Sequence, residues 1–523
     1  MDLKAALLSL GCKVNSYETE RIREDMESKG FEIVDFSDKA DVYIVNTCSV
    51  TNIADRKSRQ MLHRAKTLNP EAIVVAAGCY VQTEKDKEKL DEVADILIGN
   101  NHKGDVADLI IDFLEKHQSI NNDSQVNKNN IQNENDKANN LGNDAKSAGY
   151  VDDISCEKKV EEFSITDYPE RSRAFVRIED GCNQFCSYCI IPYARGRVRS
   201  RDEADILLEV HALADKGFKE VVLTGIHISS YGYENYEKFL KNKSISDNPS
   251  KAMSLSEFET KNTVGNGKVC EKNKADNDYN GTVEFDGTPL LNLVKKISEI
   301  KGIERIRLGS LEPRIITREF ALGLKEISEF CPHFHLSLQS GCDTVLKRMN
   351  RHYTSEEFLE KCEILREVFD RPAITTDVIV GFPGETDEEF ENSRNMCEKA
   401  GFAKMHIFKF SRRKGTVADR MPGQLTEKEK HARSLVLQEL DDRMKEAYLS
   451  LFIGEDVKIL VEETEGDCVL GLTERYVQVK ADVSNPEGPA YSDEKGLINS
   501  IISVKIDKIL PEGILFGKVQ KNT

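Results

Sequence analysis

The chain has 523 residues, and its 91 acidic and 73 basic residues give a net charge of −18. This length predicts about two to four domains, and the acidic balance excludes a diffuse nucleic-acid binder, although not a local basic surface. No apolar run is long enough to span a membrane. Thirteen cysteines without a recognisable secretory signal predict a cytoplasmic protein with reduced thiols.

Residues 1–116 alternate strand-like and helix-like patterns, which predicts an open parallel α/β sheet. Asn52–Leu68 has the pattern of an amphipathic helix with a basic polar side. The predicted strands are Lys4–Leu10, Val42–Val45, Ile73–Ala77 and Ile96–Ile98.

Three of these strands run into a cysteine, namely Cys12, Cys48 and Cys79. The carboxyl ends of parallel strands meet along one edge of such a sheet, where ligands bind. Free cysteine is often simply buried, and for any one of the three that explanation is sufficient. The same placement in three βα units favours a three-thiolate cluster site.

Two long segments are rich in Asn, Asp, Lys and Ser and poor in aromatic residues. Residues 117–165 are predicted to be a disordered linker, and residues 234–284 a disordered insertion, because neither can form a packed core. No chemistry is assigned to them.

Residues 166–449 contain six strand-like runs separated by helical patterns, which predicts a partial (β/α)6 barrel whose active site lies at the carboxyl ends of its strands. A charged amphipathic helix is predicted over Gln424–Leu451. The predicted strands are Ala174–Glu179, Glu220–Thr224, Arg305–Leu308, His335–Leu338, Ile374–Val380 and Lys404–Phe410.

The first barrel loop contains Cys182, Cys186 and Cys189. Three thiolates at this spacing can hold three irons of a [4Fe–4S] cube, which leaves one iron open to a cofactor. A zinc ribbon would need a second Cys-x-x-Cys pair, and the chain has none. The segment resembles the signature of radical S-adenosylmethionine (SAM) enzymes, which implies that SAM binds the open iron and is cleaved reductively to a radical.

Residues 450–523 show short alternating strands, which predicts a small OB-like β-barrel. Tyr476 lies among them and could stack on an RNA base, although a single tyrosine is more often a core residue. The predicted strands are Val457–Val461, Cys468–Leu472, Tyr476–Val479 and Ser503–Ile509.

Polar and glycine residues after the barrel strands are candidate SAM contacts. Glycine lets a backbone approach a ligand closely, and a carboxylate or amide can accept ribose hydroxyls, but turn chemistry explains each residue equally well. The candidates are Gly225, Ser310, Glu312, Gln339 and Gly381.

Basic residues in two barrel loops are candidate RNA contacts. Arginines at alternate positions would share one face of an extended segment and could follow phosphates, whereas a solvated surface is the plain alternative. The candidates are Arg195, Arg197, Arg199 and Arg201 after the cysteine loop, and Arg412, Arg413 and Lys414 in the last loop.

The motifs at residues 10–20, 46–51, 77–80 and 182–189 together resemble the methylthiotransferase family. The resemblance implies a sulfur-donor domain, a radical SAM barrel and a C-terminal RNA-binding TRAM domain. It also implies that Cys182, Cys186 and Cys189 bind the SAM-cleaving [4Fe–4S] cluster. An auxiliary [4Fe–4S] cluster on Cys12, Cys48 and Cys79 would then carry the transferred sulfur, with a second SAM supplying the methyl group.

Within that family, the motifs at 12–15, 191–196, 338–342 and 347–351 resemble the enzymes that methylthiolate N6-threonylcarbamoyladenosine at tRNA position 37. This implies tRNA, a low-potential electron donor and a sulfur source as partners, and no membrane. Two other substrates stay open, namely N6-isopentenyladenosine-37 and a ribosomal-protein aspartate. A non-enzymatic, zinc-containing RNA-binding protein is the third alternative.

Overall fold

The computed structural model describes residues 3–84, 90, 92–116, 148–161, 164–168, 172–233, 286–484 and 494–520. The predicted insertion at 234–284 lies outside these ranges. In the described residues, no helix has both the length and the apolar character needed to cross a bilayer. The predicted fold class is confirmed, because parallel α/β sheets are followed by a small closed β-barrel.

The N-terminal sheet has six strands, all paired in parallel, in the order β2-β1-β3-β4-β5-β6. Both faces are covered, since apolar clusters pack on each side of the sheet, and a buried parallel strand reads as a continuous apolar run. The strands are β1 (Lys4–Ser9), β2 (Glu32–Val34), β3 (Val42–Thr47), β4 (Ile73–Gly78), β5 (Ile96–Ile98) and β6 (Ala148–Tyr150).

The linker prediction for 117–165 is wrong at its carboxyl end. Residues Ala148–Tyr150 form β6 and pair with Ile96–Ile98, and Ile154 and Ile165 are buried. Composition hid β6, because Ala-Gly-Tyr in a polar segment forms no apolar run, whereas Ile96–Ile98, which is equally short, does. Residues 117–147 lie outside the described ranges.

Helices connect the N-terminal strands and cover the sheet. The helix over Asn52–Leu68 has the predicted limits, and the side chain of Thr51 caps it by accepting a hydrogen bond from the backbone N–H of Ala54. The other helices of this region are Lys13–Ser28, Cys79–Thr83 and residues 106–116, with a 3-10 turn at Lys103–Asp105.

The central region has six parallel strands in two three-stranded sheets, β7-β10-β11 and β12-β13-β14. Parallel bridges Ile306–Phe330 and Leu311–Leu336 join the two sheets, so the six strands form the predicted partial barrel. The strands are β7 (Arg173–Arg177), β10 (Glu220–Thr224), β11 (Arg305–Leu308), β12 (His333–Gln339), β13 (Ala373–Val380) and β14 (Lys404–Lys409), with the short pair β8 (Glu179–Asp180) and β9 (Arg199–Ser200) between β7 and β10.

Helices cover the outside of the barrel, and three of them begin with capping boxes at Thr354, Thr386 and Thr426, each followed three residues later by Glu. The threonine hydroxyl and the glutamate carboxylate each accept a backbone N–H that the helix leaves unpaired. The α-helices are Ile191–Ala194, Glu203–Asp215, Thr288–Ser298, Arg318–Lys325, Asp343–Arg348, Ser355–Val368, Asp387–Ala400 and Glu427–Ser450, and the 3-10 turns are Ile154–Cys156, Ile228–Ser230, Pro313–Ile315 and Ala418–Arg420.

The C-terminal strands close into a five-stranded barrel in the order β15-β16-β17-β19-β18 around its own apolar core. The sequence missed β19, and Tyr476 lies in the turn before β17 with φ +61°, not in a strand. The strands are β15 (Asp456–Glu465), β16 (Cys468–Thr473), β17 (Gln478–Asp482), β18 (Ile501–Ile509) and β19 (Leu515–Val519), with a 3-10 turn at Glu494–Leu497.

Candidate functional site

The loop after β8 places Cys182, Cys186 and Cys189 at the carboxyl rim of the partial barrel. Gly181 begins it with φ +86°, and a Cβ there would lie 1.9 Å from the carbonyl oxygen of Arg197, so only glycine fits. The amide of Cys182 donates to the carbonyl of Gly196 at 3.1 Å, and that of Cys189 to Cys186 at 2.9 Å. Distant segments also hold the loop, because the amide of Ser187 donates to the carbonyl of Met349 at 2.9 Å and the amide of Ala418 donates to the carbonyl of Ser187 at 2.7 Å.

The three thiols of this loop affect one another electrostatically. Burial and the neighbouring Cys186 raise the pKa of Cys189 to about 12, and burial, Cys186 and Cys189 raise that of Cys182. Arg351 supplies the compensating charge, because its Nη1 donates to Cys186 Sγ at 3.2 Å. Bound iron, which is cationic, would hold all three as thiolates.

The N-terminal sheet brings Cys12, Cys48 and Cys79 to one edge. Burial, Cys79 and Cys12 raise the pKa of Cys48 to about 12; Cys12 is exposed, yet desolvation by the surrounding protein and the neighbouring Cys79 raise its pKa. Gly11, at φ +99°, passes so close that a Cβ would lie 2.6 Å from Cys48 Sγ. Three thiols that are distant in sequence therefore share one electrostatic environment.

The two cysteine sets are not spaced like the ligands of a single metal ion. In the described residues, the three possible ligands whose donor atoms all lie within 4.8 Å of one another are His335, Asp377 and His406. Neither cysteine set meets that spacing, whereas sulfurs around one tetrahedral zinc lie close together. All six cysteines are free of disulfides, so both sets have the donor chemistry of an iron–sulfur site.

Arg195 connects the two cysteine regions. Its Nη1 donates to Glu18 at 2.9 Å and to Asp180 at 3.1 Å, and its Nη2 donates to Asn15 Oδ1 at 2.6 Å. Asn15 in turn donates to the carbonyls of Leu10 and Thr47, the residues near Cys12 and Cys48. The guanidinium of Arg195, which follows the Cys182–Cys189 loop, thus holds the loops that contain Cys12 and Cys48.

The carboxylates around Arg195 are buried and held ionised. Burial alone raises the pKa of Glu18, but Arg195 and Lys103 outweigh it, so the pKa lies below its usual range. Burial likewise raises that of Asp180, and Arg195, Arg199 and Arg177 lower it. Both side chains are almost wholly buried, so the network holds charge inside the protein, where losing one partner is costly.

The predicted phosphate track is wrong for Arg195, Arg199 and Arg201, because all three are buried. Arg199 lies 3.6 Å from Asp180 Oδ2, and Arg201 lies 2.6 Å from Glu209 Oε2. These three side chains meet buried carboxylates, and the alternate spacing does not put all four arginines on one face. Arg197 points the other way and lies over the Phe185 ring, 4.3 Å from its centroid.

Arg413 is also wrong as an exposed RNA contact, because it is buried between two domains. Its guanidinium donates to Asp55 at 2.7 Å, to Ser49 at 2.6 Å and to Asn52 at 2.9 Å. It therefore fixes the helix that follows Cys48 against the last barrel loop. Arg412, which donates to Asp419, and Lys414 are exposed.

For three of the five SAM-contact candidates, contacts within the protein account for the residue found at that position. A Cβ at Gly225 would lie 2.7 Å from Glu179 Oε2, and one at Gly381 would lie 2.4 Å from Lys430 Cγ. The Glu312 carboxylate accepts from Arg314 Nε at 2.8 Å. Ser310 is exposed and Gln339 is half-buried with φ +67°, so these two have polar groups open to a ligand.

Two residues that sequence reasoning missed lie beside the first cysteine set. His227 follows Gly225; burial and the cations of Arg351 and Arg314 lower its pKa to about 3, so its ring is neutral. Its Nδ1 bonds Ser230 Oγ at 2.7 Å, whereas the buried Nε2 has no partner among the described residues. An orphaned buried nitrogen fits a polar cofactor such as SAM. Arg351, the second residue, belongs to the motif at 347–351, but nothing in that motif predicts its contact with Cys186.

Asn100 is a third missed residue. Its Nδ2 donates to the carbonyl of Ala194 at 2.7 Å and lies 3.5 Å from Cys79 Sγ. The side chain is buried and gives a second direct link between the sheet edge and the helix that follows the Cys182–Cys189 loop. Its only sequence signal was a position just after a strand.

Tyr476 lies between the central and C-terminal barrels. Its ring stacks on His333 at a centroid distance of 4.9 Å, and the guanidiniums of Arg173 and Arg307 lie 5.2 and 5.0 Å from its centroid. Burial raises the pKa of Tyr476, but Arg173 and the other nearby cations outweigh it and lower the value. The residue is 37% exposed and lines a cavity.

Two family descriptions match the chain. The Radical SAM superfamily matches residues 176–397. This range includes β10 to β13 and the end of β7, and β14 lies beyond it. Uncharacterized protein family UPF0004 matches residues 4–99, which include Cys12, Cys48 and Cys79.

Curated relatives match nearly the whole chain. It is 33% identical over 508 residues to the threonylcarbamoyladenosine tRNA methylthiotransferase MtaB of Bacillus subtilis, covering 96% of this chain and 93% of the relative. The MtaB of Aquifex aeolicus is 34% identical, covering 92% and 97%. The tRNA-2-methylthio-N(6)-dimethylallyladenosine synthase of Caldicellulosiruptor saccharolyticus is 30% identical, covering 87% and 81%. Identity of this extent, on a chain whose two cysteine sets meet through Arg195, makes it a member of the radical SAM methylthiotransferase family.

Proposed function

We propose that the protein methylthiolates C2 of N6-threonylcarbamoyladenosine at position 37 of tRNA. The observation that carries the proposal is the direct connection between two three-cysteine sets, one from the barrel and one from the N-terminal sheet, through Arg195 and Asn100. The names of the MtaB relatives, which are similar over nearly their whole length, support the substrate.

An unactivated aromatic C–H needs radical chemistry, because a nucleophile finds no leaving group there. The SAM-binding cluster supplies that radical when it is bound. Cys182, Cys186 and Cys189 would hold it, and Arg351 offsets the negative charge of the thiolates through Cys186. His227 would offer its unpaired Nε2 to bound SAM.

The second cysteine set would hold an auxiliary [4Fe–4S] cluster and with it the sulfur to be transferred. Asn15 orients the loops that contain Cys12 and Cys48, and Arg195 fixes Asn15. Asn100 does the same for Cys79. The chain's own work is therefore to hold two cofactor sites at one fixed separation while a base enters between them.

The reaction requires partners beyond tRNA. Reductive cleavage of SAM needs a low-potential electron donor, and each turnover consumes a sulfur that a sulfur source must replace. Exposed Arg412, Lys414 and the partly exposed Tyr476 are the proposed RNA contacts, together with Arg197 at the loop. Ser310 and Gln339 remain proposed SAM contacts.

The test is mass spectrometry of tRNA nucleosides from cells with and without the gene. Loss of 2-methylthio-N6-threonylcarbamoyladenosine, with its precursor accumulating, supports the proposal. Loss of the dimethylallyl counterpart instead would keep the reaction and change the substrate, in line with the Caldicellulosiruptor relative. No change in either nucleoside contradicts a tRNA substrate.

Metal content separates the enzyme from a zinc protein. Protein reconstituted without oxygen should bind about eight irons if both sites hold [4Fe–4S] clusters. Stoichiometric zinc without iron would contradict both cluster assignments.

A further inference from the structure

A basic cavity of about 580 Å³ lies between the open side of the central barrel and the C-terminal barrel. Strands β12, β13 and β14 form one wall with His335, Asp377 and His406, and Tyr476 lies on the opposite wall. Ser310 lines it at the carboxyl rim of β11, and Lys13 lines it from the N-terminal domain. The cavity therefore touches all three domains.

Positive charge dominates the cavity. Its described lining has four basic side chains besides histidine, namely Lys13, Lys404, Lys445 and Arg475, and one carboxylate, Asp377. Asp377 already has a partner, since its Oδ2 lies 3.3 Å from His335 Nε2. Arg475 donates to Glu474 at 2.6 Å.

The lysines, in contrast, have no partner of their own. Among the described residues, no hydrogen bond or ion pair is formed by the ammonium of Lys13, Lys404 or Lys445. Burial and the neighbouring Lys404 lower the pKa of Lys445, and together they outweigh Asp441 and Asp442, which raise it, so the ammonium groups of Lys404 and Lys445 repel one another. An anion would relieve that repulsion.

A cation is the wrong occupant, although the donor atoms of His335, Asp377 and His406 lie within 4.8 Å of one another. His406 is exposed, but partial desolvation lowers its pKa, and the charges of His335, Lys404 and Lys13 lower it further against the opposing effect of Asp377. A field that opposes protonation of an imidazole also opposes a divalent metal. The histidines are better used as neutral hydrogen-bond partners.

We propose that this cavity binds the carboxylate of the threonyl group on the substrate base, with Lys404 and Lys445 as its cationic partners. The inference rests on the proposed function and names how the substrate is chosen. A threonylcarbamoyl group ends in a carboxylate, whereas the dimethylallyl group of the alternative substrate is wholly apolar and would leave these ammonium groups unpaired.

The position of the cavity suits this role. Lys13 follows Cys12 directly in the chain, so the cavity adjoins the sheet edge that would hold the auxiliary cluster. In adenine, only N1 separates C2 from C6, which bears the N6 substituent. A base whose C2 faces the cysteine sets therefore has its N6 group on the neighbouring edge, where it can enter the cavity.

The experiment uses reconstituted enzyme and three anticodon stem-loop RNAs that differ only at adenosine 37. One has the threonylcarbamoyl group, the second has the same group with a carboxamide in place of the carboxylate, and the third has the dimethylallyl group. Binding is measured by fluorescence anisotropy and turnover by mass spectrometry. A charge-assisted hydrogen bond predicts that the carboxylate RNA binds about tenfold more tightly than the carboxamide RNA.

Lys404→Met with Lys445→Met should remove that tenfold preference and leave affinity for the carboxamide RNA unchanged. Lys428→Met, an exposed lysine on the same helix as Lys445 but outside the cavity, is the matched control and should keep the preference. Lys13 is left intact because it adjoins Cys12. With Lys445→Met kept, Lys404→Arg in place of Lys404→Met should restore part of the preference for the carboxylate RNA.

Two outcomes would overturn this inference and leave the proposed function intact. Equal binding of the carboxylate and carboxamide RNAs by the unaltered enzyme, with normal turnover of the first, would mean that the cavity does not read the carboxylate. Equal weakening of all three RNAs by the double substitution would mean that the lysines contact backbone phosphates. Turnover of only the dimethylallyl RNA would instead overturn the proposed function, and the inference with it.

Discussion

The two cysteine sets are built in opposite ways. Cys182, Cys186 and Cys189 lie in one short loop, which local backbone hydrogen bonds and contacts with Met349 and Ala418 hold in place. Cys12, Cys48 and Cys79 follow three separate strands, and the paired β1, β3 and β4 bring them together. The first site is local in sequence, and the second exists only when the sheet does.

This difference shows where the structure must be rigid. A local loop keeps its cysteines near one another even if it shifts as a body, whereas the sheet edge depends on every strand. The buried network around Arg195 joins them, so movement of the loop is transmitted to the residues beside Cys12 and Cys48. Such a buried charged network can hold two reactive centres at a fixed separation.

The largest expected effect comes from removing one cysteine of either set. Cys186→Ala and Cys79→Ala should both abolish the methylthiolated nucleoside. Only Cys186→Ala should also stop formation of 5′-deoxyadenosine from SAM, because only that set is assigned to SAM. Iron should fall from about eight to about four per chain in each variant.

Cys362→Ala is the matched control, since Cys362 is buried in the barrel core away from both sets. It should keep both products and the full iron content. A Cys79→Ala enzyme with normal product would contradict the auxiliary assignment, and one without 5′-deoxyadenosine would show that the two sites are less separate than the fold indicates.

The second effect tests the connection. Arg195→Met should leave the carboxylates of Glu18 and Asp180 buried without their main partner, which costs about 3–5 kcal/mol of unfolding free energy. Arg197→Met, in the same loop but over the Phe185 ring, should cost about 1 kcal/mol or less. Thermal and urea unfolding measure both, and similar losses in the two variants would contradict a special role for Arg195.

The same network predicts how stability depends on pH. The folded-state pKa values of Glu18 and Asp180 lie below their usual ranges, so their contribution is complete above the unfolded-state pKa values, about 4. It is lost as the pH falls through the lower folded-state values. The unfolding free energy of Arg195→Met should therefore fall less steeply in acid than that of the unaltered protein, and parallel curves would contradict this.

A smaller effect is expected at the second connection. Asn100→Ala removes the hydrogen bond to the carbonyl of Ala194 and should cost about 1 kcal/mol. Asn101→Ala, whose side chain makes only a 3.5 Å contact with Asp152, is the control and should be nearly neutral. If Asn100→Ala lowers product yield with no loss of iron, the bond positions the site; a loss of iron would mean that it is needed to retain the cluster.

The smallest effect concerns RNA. Lys414→Ala should weaken tRNA binding several-fold and lower the salt dependence by about one charge, with no change in unfolding temperature because the side chain is exposed. Lys399→Ala, exposed on a helix outside the barrel, should leave both unchanged. Equal binding by Lys414→Ala and unaltered protein would remove the last loop from the RNA surface.

The sequence by itself determined the elements and the chemistry. Alternation of apolar and polar residues predicted the helix over Asn52–Leu68 and the six strands of the central barrel, since these periods are local. The Cys182 to Cys189 spacing predicted an iron–sulfur loop for the same reason. Ala148–Tyr150 was missed because Ala-Gly-Tyr forms no apolar run, whereas the equally short Ile96–Ile98 does.

Only the tertiary structure decided which polar side chains face the solvent. The alternation of Arg195, Arg197, Arg199 and Arg201 is the same for a phosphate track and for a buried network, and the difference lies in Glu18, Asp180 and Glu209, which come from other segments. The contact of Arg351 with Cys186 and the basic cavity at Lys404 likewise join distant parts of the chain. The alternate spacing predicted one shared face, but Arg197 lies over the Phe185 ring while the other three arginines meet buried carboxylates, so folding decides both the direction and the partner of each side chain.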